Sequence, residues 1–136
     1  TIVLSDRRSG PAVEDLDLRQ AAFVLSRVIS TGNARVTLDC GSKGLAPDTP
    51  PESFEALGYA GLVGRRRSEE HLVCENETGA PLPARGELLW VVPEHVCTTV
   101  NMYREAIHLL PDGSVETVSV RAASRLPWGL REGAGE

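Results

Sequence analysis

The density of chain breakers limits this sequence more than any other feature. Thirteen glycines and 9 prolines interrupt 136 residues, against averages of about 7% and 5%. Proline removes a backbone donor and fixes φ, and glycine weakens the interior of a helix or strand, so the chain must consist of short segments joined by turns. With two each of Trp, Tyr and Phe, the core must be aliphatic. Residues 1–4 read as a short strand, 34–38 as a β-rich stretch ending in a tight polar turn at 39–44, and 48–53, with Pro47, Pro50 and Pro51, as a surface loop. Residues 59–63 and 71–74 look like short strands around an Arg-Arg-Arg-Ser turn. The run Leu-Leu-Trp-Val-Val at 88–92, stopped by Pro93, is the strongest strand signal. Residues 98–110 carry β-branched residues, Pro111-Asp112-Gly113 is a hairpin turn, and 115–120 alternate with a period near two. Residues 16–29 fit both periods, and propensity leans toward helix. The pattern predicts a mainly β fold, a compact barrel or sandwich with little helix. It forms one domain over residues 1–130, with a mobile polar tail at 131–136.

Charge and hydropathy exclude several functions. The formal net charge is −5, and the one basic run, Arg65 to Arg67, is followed at once by Glu69 and Glu70; nucleic acid is therefore not an expected partner. No apolar stretch reaches the roughly 18 to 20 residues of a membrane span, and the first residues lack the basic-then-apolar order of a signal peptide. No membrane association and a cytoplasmic location are expected. The abrupt start at Thr1 leads us to expect that the natural polypeptide begins earlier. Three cysteines, Cys40, Cys74 and Cys97, form no disulfide framework and suit a reducing compartment. A domain of this size buries only about two thirds of its unfolded surface, so a site built on it is expected to borrow a metal, a partner domain or a partner subunit.

Few residues can carry chemistry. In Pro93-Glu94-His95-Val96-Cys97, an extended backbone would put His95 and Cys97 on one side and aim an imidazole nitrogen and a sulfur at one point. Zinc accepts both ligands at about 2.0 to 2.3 Å, and a site with two protein ligands leaves positions open for water and substrate. The alternative is a hydrogen-bonded His95 at a strand end and a buried, apolar Cys97. In Ser68-Glu69-Glu70-His71, Glu70 and His71 could serve as an acid–base pair, an additional ligand or an orienting partner, or simply as an exposed turn offsetting the arginines. His108, inside an apolar strand, reads as structural. Asp39-Cys40-Gly41-Ser42-Lys43-Gly44 lacks the spacing of a phosphate-binding loop, and Lys43 reads as a surface lysine.

Three of these segments together resemble the C-terminal domain of the D-serine dehydratase and D-threonine aldolase family, pyridoxal-phosphate (PLP) enzymes of the alanine racemase fold type. Residues 38–45, Leu-Asp-Cys-Gly-Ser-Lys-Gly-Leu, are similar to the family's Asp-Ala-Gly-Ser-Lys-Ala-Leu. Ser68-Glu69-Glu70-His71 is the second motif. Residues 93–101, Pro-Glu-His-Val-Cys-Thr-Thr-Val-Asn, are similar to Pro-Asn-His-x-Cys-x-Thr-x-Asn. Order and separation agree over nearly the whole chain. Cys40 stands where Ala is usual, and Leu72 where Gly usually follows Glu-His.

The resemblance implies a β-rich domain that packs on a PLP-carrying α/β barrel and supplies a divalent metal. His95 and Cys97 would bind the ion, with the substrate's β-hydroxyl approaching it; a thiolate favours Zn2+ over the harder manganese. The metal would act as a Lewis acid in elimination or retro-aldol cleavage. It also implies that residues 21–30 form a strand, against the helical lean. The barrel, roughly 250 residues in such folds, is not in this sequence, and Lys43 does not correspond to the family's PLP lysine. PLP would enter only with a separate barrel domain or chain. Two readings follow. One is a zinc-dependent lyase domain for a small amino-acid-like substrate. The other is a stand-alone metal-binding protein with PLP-independent lyase or hydrolase chemistry, or a non-catalytic ligand-binding module, in which Glu70 or His71 supplies acid–base function. A homodimer stays open, since the sequence does not determine oligomeric state.

Overall fold

Beyond Gln20 the two-residue period prevails over the helical one. Val24, Ser26 and Val28 are buried while Leu25 and Arg27 are exposed, the alternation of a strand with one face on a core. The computed structural model describes residues 6–8 and 20–121. In chain order the elements are β1 (Val24–Gly32), β2 (Arg35–Leu38), β3 (Phe54–Ala56), β4 (Leu62–Arg67), β5 (Leu72–Asn76), β6 (Leu88–Pro93), α1 (Val96–Val100), β7 (Glu105–Leu109) and β8 (Val115–Ser119). The mainly β fold with little helix is therefore observed. The helical lean at 16–29 is corrected over 24–29 by β1, as the family resemblance implied, and its residues 16–19 lie outside the described ones. The expected strand at 1–4 and the tail at 131–136 lie outside the described residues.

The chain falls into two compact units, Thr1–Thr99 and Val100–Glu136. In the first, six strands make one antiparallel sheet in the order β3-β6-β1-β2-β5-β4. Its edge strands β3 and β4 meet, which curls the sheet into a nearly closed barrel. At that seam a Cβ on Gly64 would lie 2.0 Å from the Pro51 carbonyl oxygen, so only glycine permits the approach. Register skips between Val28 and Ser30 and between Gly64 and Arg66 leave Ile29 and Arg65 as bulged residues, and bulges increase local bend and twist. The interior is aliphatic as expected: Val28, Val36, Leu38, Leu45, Leu72 and Val91 are fully buried. The second unit contains the β7–β8 hairpin, closed by a turn at Pro111 to Gly113, where Gly113 has φ 83° and its N–H donates to the Leu110 carbonyl at 2.9 Å.

Two local readings change. Arg65 to Arg67 belong to β4 rather than to the following turn, because the sheet pairs Arg66 with Val73 and Arg67 with Leu72. Residues 96–100, four of the five β-branched, form α1; the cost of such residues in a helix is only a few tenths of a kcal/mol each, and tertiary bonds described below offset it.

Candidate functional site

The site lies where β6 ends and α1 begins. Phe54 pairs with Pro93 in antiparallel register, so the chain that precedes β3 runs beside the chain that follows β6. This brings Asp48 to His95: its Oδ2 is 2.7 Å from the His95 Nδ1, and its Oδ1 accepts a 2.7 Å hydrogen bond from the Thr98 hydroxyl. A carboxylate oxygen that close to a ring nitrogen requires a proton between them, so Nδ1 carries the hydrogen, and in the neutral ring the lone pair is then on Nε2. Arg8 Nη1 stands 3.0 Å from Nδ1 and 3.5 Å from Asp48 Oδ2; with Nδ1 donating, its guanidinium serves as a cation beside the carboxylate. The Thr98 hydroxyl, followed by the His95 ring, holds the Asp48 carboxyl down at about 2. Asp48 is therefore an anion at neutral pH.

The surroundings fix these groups in place. Asp6, buried at 2% exposure, accepts the Val96 N–H at 2.8 Å and caps the start of α1. The Thr99 hydroxyl donates to the His95 carbonyl at 2.9 Å and accepts the Ala46 N–H at 3.0 Å. Thr49 donates to the Ala46 carbonyl at 2.8 Å. From β4, Arg67 donates to the Leu45 carbonyl at 2.8 Å and to the Thr49 carbonyl, clamping both ends of the loop that carries Asp48. Behind that loop, Ser42 and Lys43 N–H groups bond the Ser68 and Glu69 carbonyls at 2.9 Å each. A Cβ on Gly41 would lie 2.3 Å from the Glu69 carbonyl oxygen. The first two sequence motifs are thus one packed unit, and through Arg67, Asp48 and Thr99 they are linked to the third.

The candidate residues are placed as follows. His95 and Cys97 do not lie on an extended strand: His95 immediately precedes α1 and Cys97 is inside it. The same-side argument from a two-residue strand period is therefore corrected. His95 is partly exposed, at 23% of its side chain, and Cys97 is exposed. Cys40 and Cys74 are buried, and burial pushes their thiols up to about 11 and about 12, which leaves Cys97 as the cysteine available to a ligand from outside. Glu70 is tied to Lys43 at 3.0 Å, as Glu69 is at 2.8 Å; these contacts raise the Lys43 pKa, a poor state for Schiff-base chemistry. His71 is exposed and lines a shallow cavity on the outer face of the sheet. No bond joins Glu70 or His71 to His95 among the described residues. His108 makes a 2.8 Å cross-strand pair with Glu116, a structural role. No group of three or more His, Cys, Asp or Glu suited to a metal is gathered among the described residues. Asp48, Thr98 and Thr99 escaped sequence reasoning, although the two threonines lie inside the third motif.

Residues 21–109 match the family model described as "Putative serine dehydratase domain". An uncharacterised protein of Mycobacterium tuberculosis (strain ATCC 25618 / H37Rv) is 39% identical over 102 residues, covering 70% of this chain and 73% of that protein. D-threonine aldolase of an Arthrobacter species is 34% identical over 114 residues, which are 81% of this chain and 29% of the aldolase. Among solved structures, D-threonine aldolase from Filomicrobium marinum superposes with a TM-score of 0.66 at 29% identity, covering 78% of this chain and 29% of that one. D-threo-3-hydroxyaspartate dehydratase from Delftia sp. HT23 shares the fold, with a TM-score of 0.58 at 22% identity, over 71% of this chain and 31% of that one. The chain thus spans about a third or less of these enzymes. No helix among the described residues is long and apolar enough to cross a membrane.

Proposed function

The chain belongs to the serine dehydratase domain family, and from that premise we propose that it is the metal-bearing β domain of a lyase acting on a small β-hydroxy amino acid. Relatives with named activities are an aldolase and a dehydratase, both lyases. His95, through Nε2, and Cys97 would hold the ion, and the nitrogen and sulfur donors favour zinc. The observation that carries this reading is the 2.7 Å contact between Asp48 and His95 Nδ1. A ligating histidine ordinarily donates its other nitrogen to a carboxylate, which fixes the tautomer and raises its basicity; here that arrangement leaves Nε2 as the donor. A variant of D-threo-3-hydroxyaspartate dehydratase with one cysteine replaced by alanine is described in a metal-free form.

Bound zinc would supply Lewis acidity to a substrate hydroxyl. The protein's own part is to present His95 in one tautomer, to keep Asp48 ionised behind it through Thr98, and to hold the Asp48 loop through Arg67. PLP and the residues that bind it belong to a barrel domain or separate chain, since Lys43 is committed to Glu69 and Glu70. The test is metal content of the purified chain. About one zinc per chain is expected, with loss in both His95→Ala and Cys97→Ala; full content in both variants overturns the assignment.

A second reading has its own support. The 102 matched residues make up 73% of the mycobacterial relative, which is therefore only about 140 residues long, too short to include a barrel of roughly 250 residues. In a protein of that size the same metal site would work without PLP, or bind a ligand without catalysis. His71, whose ring has no partner among the described residues, would be its acid–base group in preference to Glu70, which Lys43 holds. Co-purification of the chain with a barrel protein, or a PLP-dependent activity on addition of one, distinguishes the first reading from the second.

A further inference from the structure

The outer face of the sheet has a second feature that the metal site does not use. A cavity of about 250 Å3 is lined by Ile29, Thr37, Arg66, Ser68, His71 and Val73. Thr37 and Val73 are directly paired neighbours on β2 and β5 and form its floor. The two bulges of the barrel flank this pair: Ile29 is the extra residue of β1, and Arg65 that of β4. With strict alternation Arg66 would follow Leu62 and Gly64, both buried, to the inner face. The extra residue reverses this. Arg67 turns inward to the Asp48 loop, and Arg66 is exposed on the outer face opposite Val73. Bulges re-aim side chains in this way and are enriched beside functional sites.

The charges around the cavity are already committed, with one exception. On the same face Arg35 and Arg65 share Glu75 and Glu77, two cations on two carboxylates. Lys43 takes Glu69 and Glu70 on the turn that leads to His71. Arg67 is spent on backbone carbonyls. Arg66 makes no ion pair or side-chain hydrogen bond among the described residues. It shares the cavity with the Thr37 hydroxyl, with Ser68, whose hydroxyl is bonded to the His71 backbone, and with the His71 ring, which has no partner among the described residues, while Ile29 and Val73 provide apolar surface.

We propose that this cavity is a binding site for a small organic carboxylate with a short aliphatic body, its carboxylate on Arg66 and its carbon chain against Ile29 and Val73. Arginine's planar fork matches a carboxylate bidentately, Thr37 and His71 offer further donors, and the volume admits only a few heavy atoms.

The test is NMR observation of the His71 ring in the full chain during titration with butyrate and, separately, with inorganic phosphate. Butyrate is expected to give a saturable shift, with phosphate at least about tenfold weaker because it cannot use the apolar walls. Arg66→Gln should weaken butyrate by about tenfold or more with unchanged circular dichroism, as befits an exposed, unpaired side chain. If that variant fails to fold, Arg66→Lys, which keeps the charge but loses the fork, should weaken it by a smaller factor. Absence of saturation, an unchanged affinity in whichever Arg66 variant folds, or tighter binding of phosphate than of butyrate would overturn the assignment.

Discussion

Replacing Asp48 by alanine tests the metal reading at the residue that touches the ligand and would not itself touch the metal. In the native protein two donors, the His95 Nδ1–H and the Thr98 hydroxyl, converge on the two carboxylate oxygens at 2.7 Å each. The carboxyl, held at about 2, is fully charged at pH 7, so both bonds are charge-assisted. Without it the imidazole is free to carry its proton on Nε2, the nitrogen that must bind zinc. Loss of such an orienting partner typically costs 10- to 100-fold in metal affinity, or about 1.4 to 2.7 kcal/mol. Fold stability should change little, because both side chains are solvent-accessible. Competition against a zinc-chelating dye at pH 7 measures the affinity, and nitrogen-15 shifts of metal-free protein report the tautomer. The native protein should show Nδ1–H and the variant a gain in Nε2–H. Asp48→Asn should fall between, since the two donors meet different carboxylate oxygens and the amide puts an oxygen at one of those positions and an NH2 donor at the other. Zinc affinity in Asp48→Ala within about twofold of native, or an Nε2–H tautomer in the native protein, would refute the reasoning.

Three further predictions concern the scaffold. Gly41→Ala places a methyl group 2.3 Å from the Glu69 carbonyl oxygen and 2.5 Å from the Glu70 nitrogen; because these are backbone atoms, a loss of about 1 to 3 kcal/mol is expected in urea unfolding. Arg67→Leu removes the donors to the Leu45 and Thr49 carbonyls; it should destabilise by about 1.5 to 3 kcal/mol and also lower zinc affinity, although Arg67 does not touch His95. In the native protein at pH 8 a thiol reagent should modify Cys97 quickly and Cys40 and Cys74 only after unfolding. Burial holds those two thiols at about 11 and about 12 rather than 9.0, so the stability they contribute is complete below pH 9 and is lost as pH rises through 11 to 12. Full ionisation of Cys40 alone costs about 3 kcal/mol, and urea midpoints measured from pH 8 to pH 11 should fall accordingly.

Elements that state themselves locally were legible before folding. The apolar run of β6, the Pro-Asp-Gly turn between β7 and β8, and the motif residues His95 and Cys97 all needed only neighbours in sequence or a known pattern. The elements that escaped depend on distant partners. β3 is three residues long, and it is a strand because Phe54, Glu55 and Ala56 pair with Pro93, Val92 and Val91. α1 has five residues of modest helix propensity, far below the roughly 12 to 15 that an isolated helix needs; it forms where Asp6, 90 residues away, accepts the Val96 N–H and where Ala46 donates to Thr99. Asp48, set between Pro47 and Pro50, has the composition of an ordinary surface loop.

These omissions have one origin, which the register of β3 makes explicit. Asp48 lies six residues before Phe54 and His95 two after Pro93, and the antiparallel pair Phe54 and Pro93 brings the two to the same end of the barrel. The carboxylate that orients the candidate ligand is therefore positioned by the shortest strand of the sheet, across 47 residues of sequence. Glu55→Pro tests that dependence. The Leu57 N–H donates to the Trp90 carbonyl at 2.9 Å, so by antiparallel alternation Glu55 is the next residue of β3 whose N–H faces β6; proline there has no N–H to give and should loosen β3 from β6 at the Glu55–Val92 pair. If β3 sets the site, His95 should lose its Nδ1–H tautomer while far-ultraviolet circular dichroism still reports the other strands. A folded Glu55→Pro variant that keeps the native His95 tautomer would show that Arg67 and Thr99 hold the Asp48 loop without help from the strand.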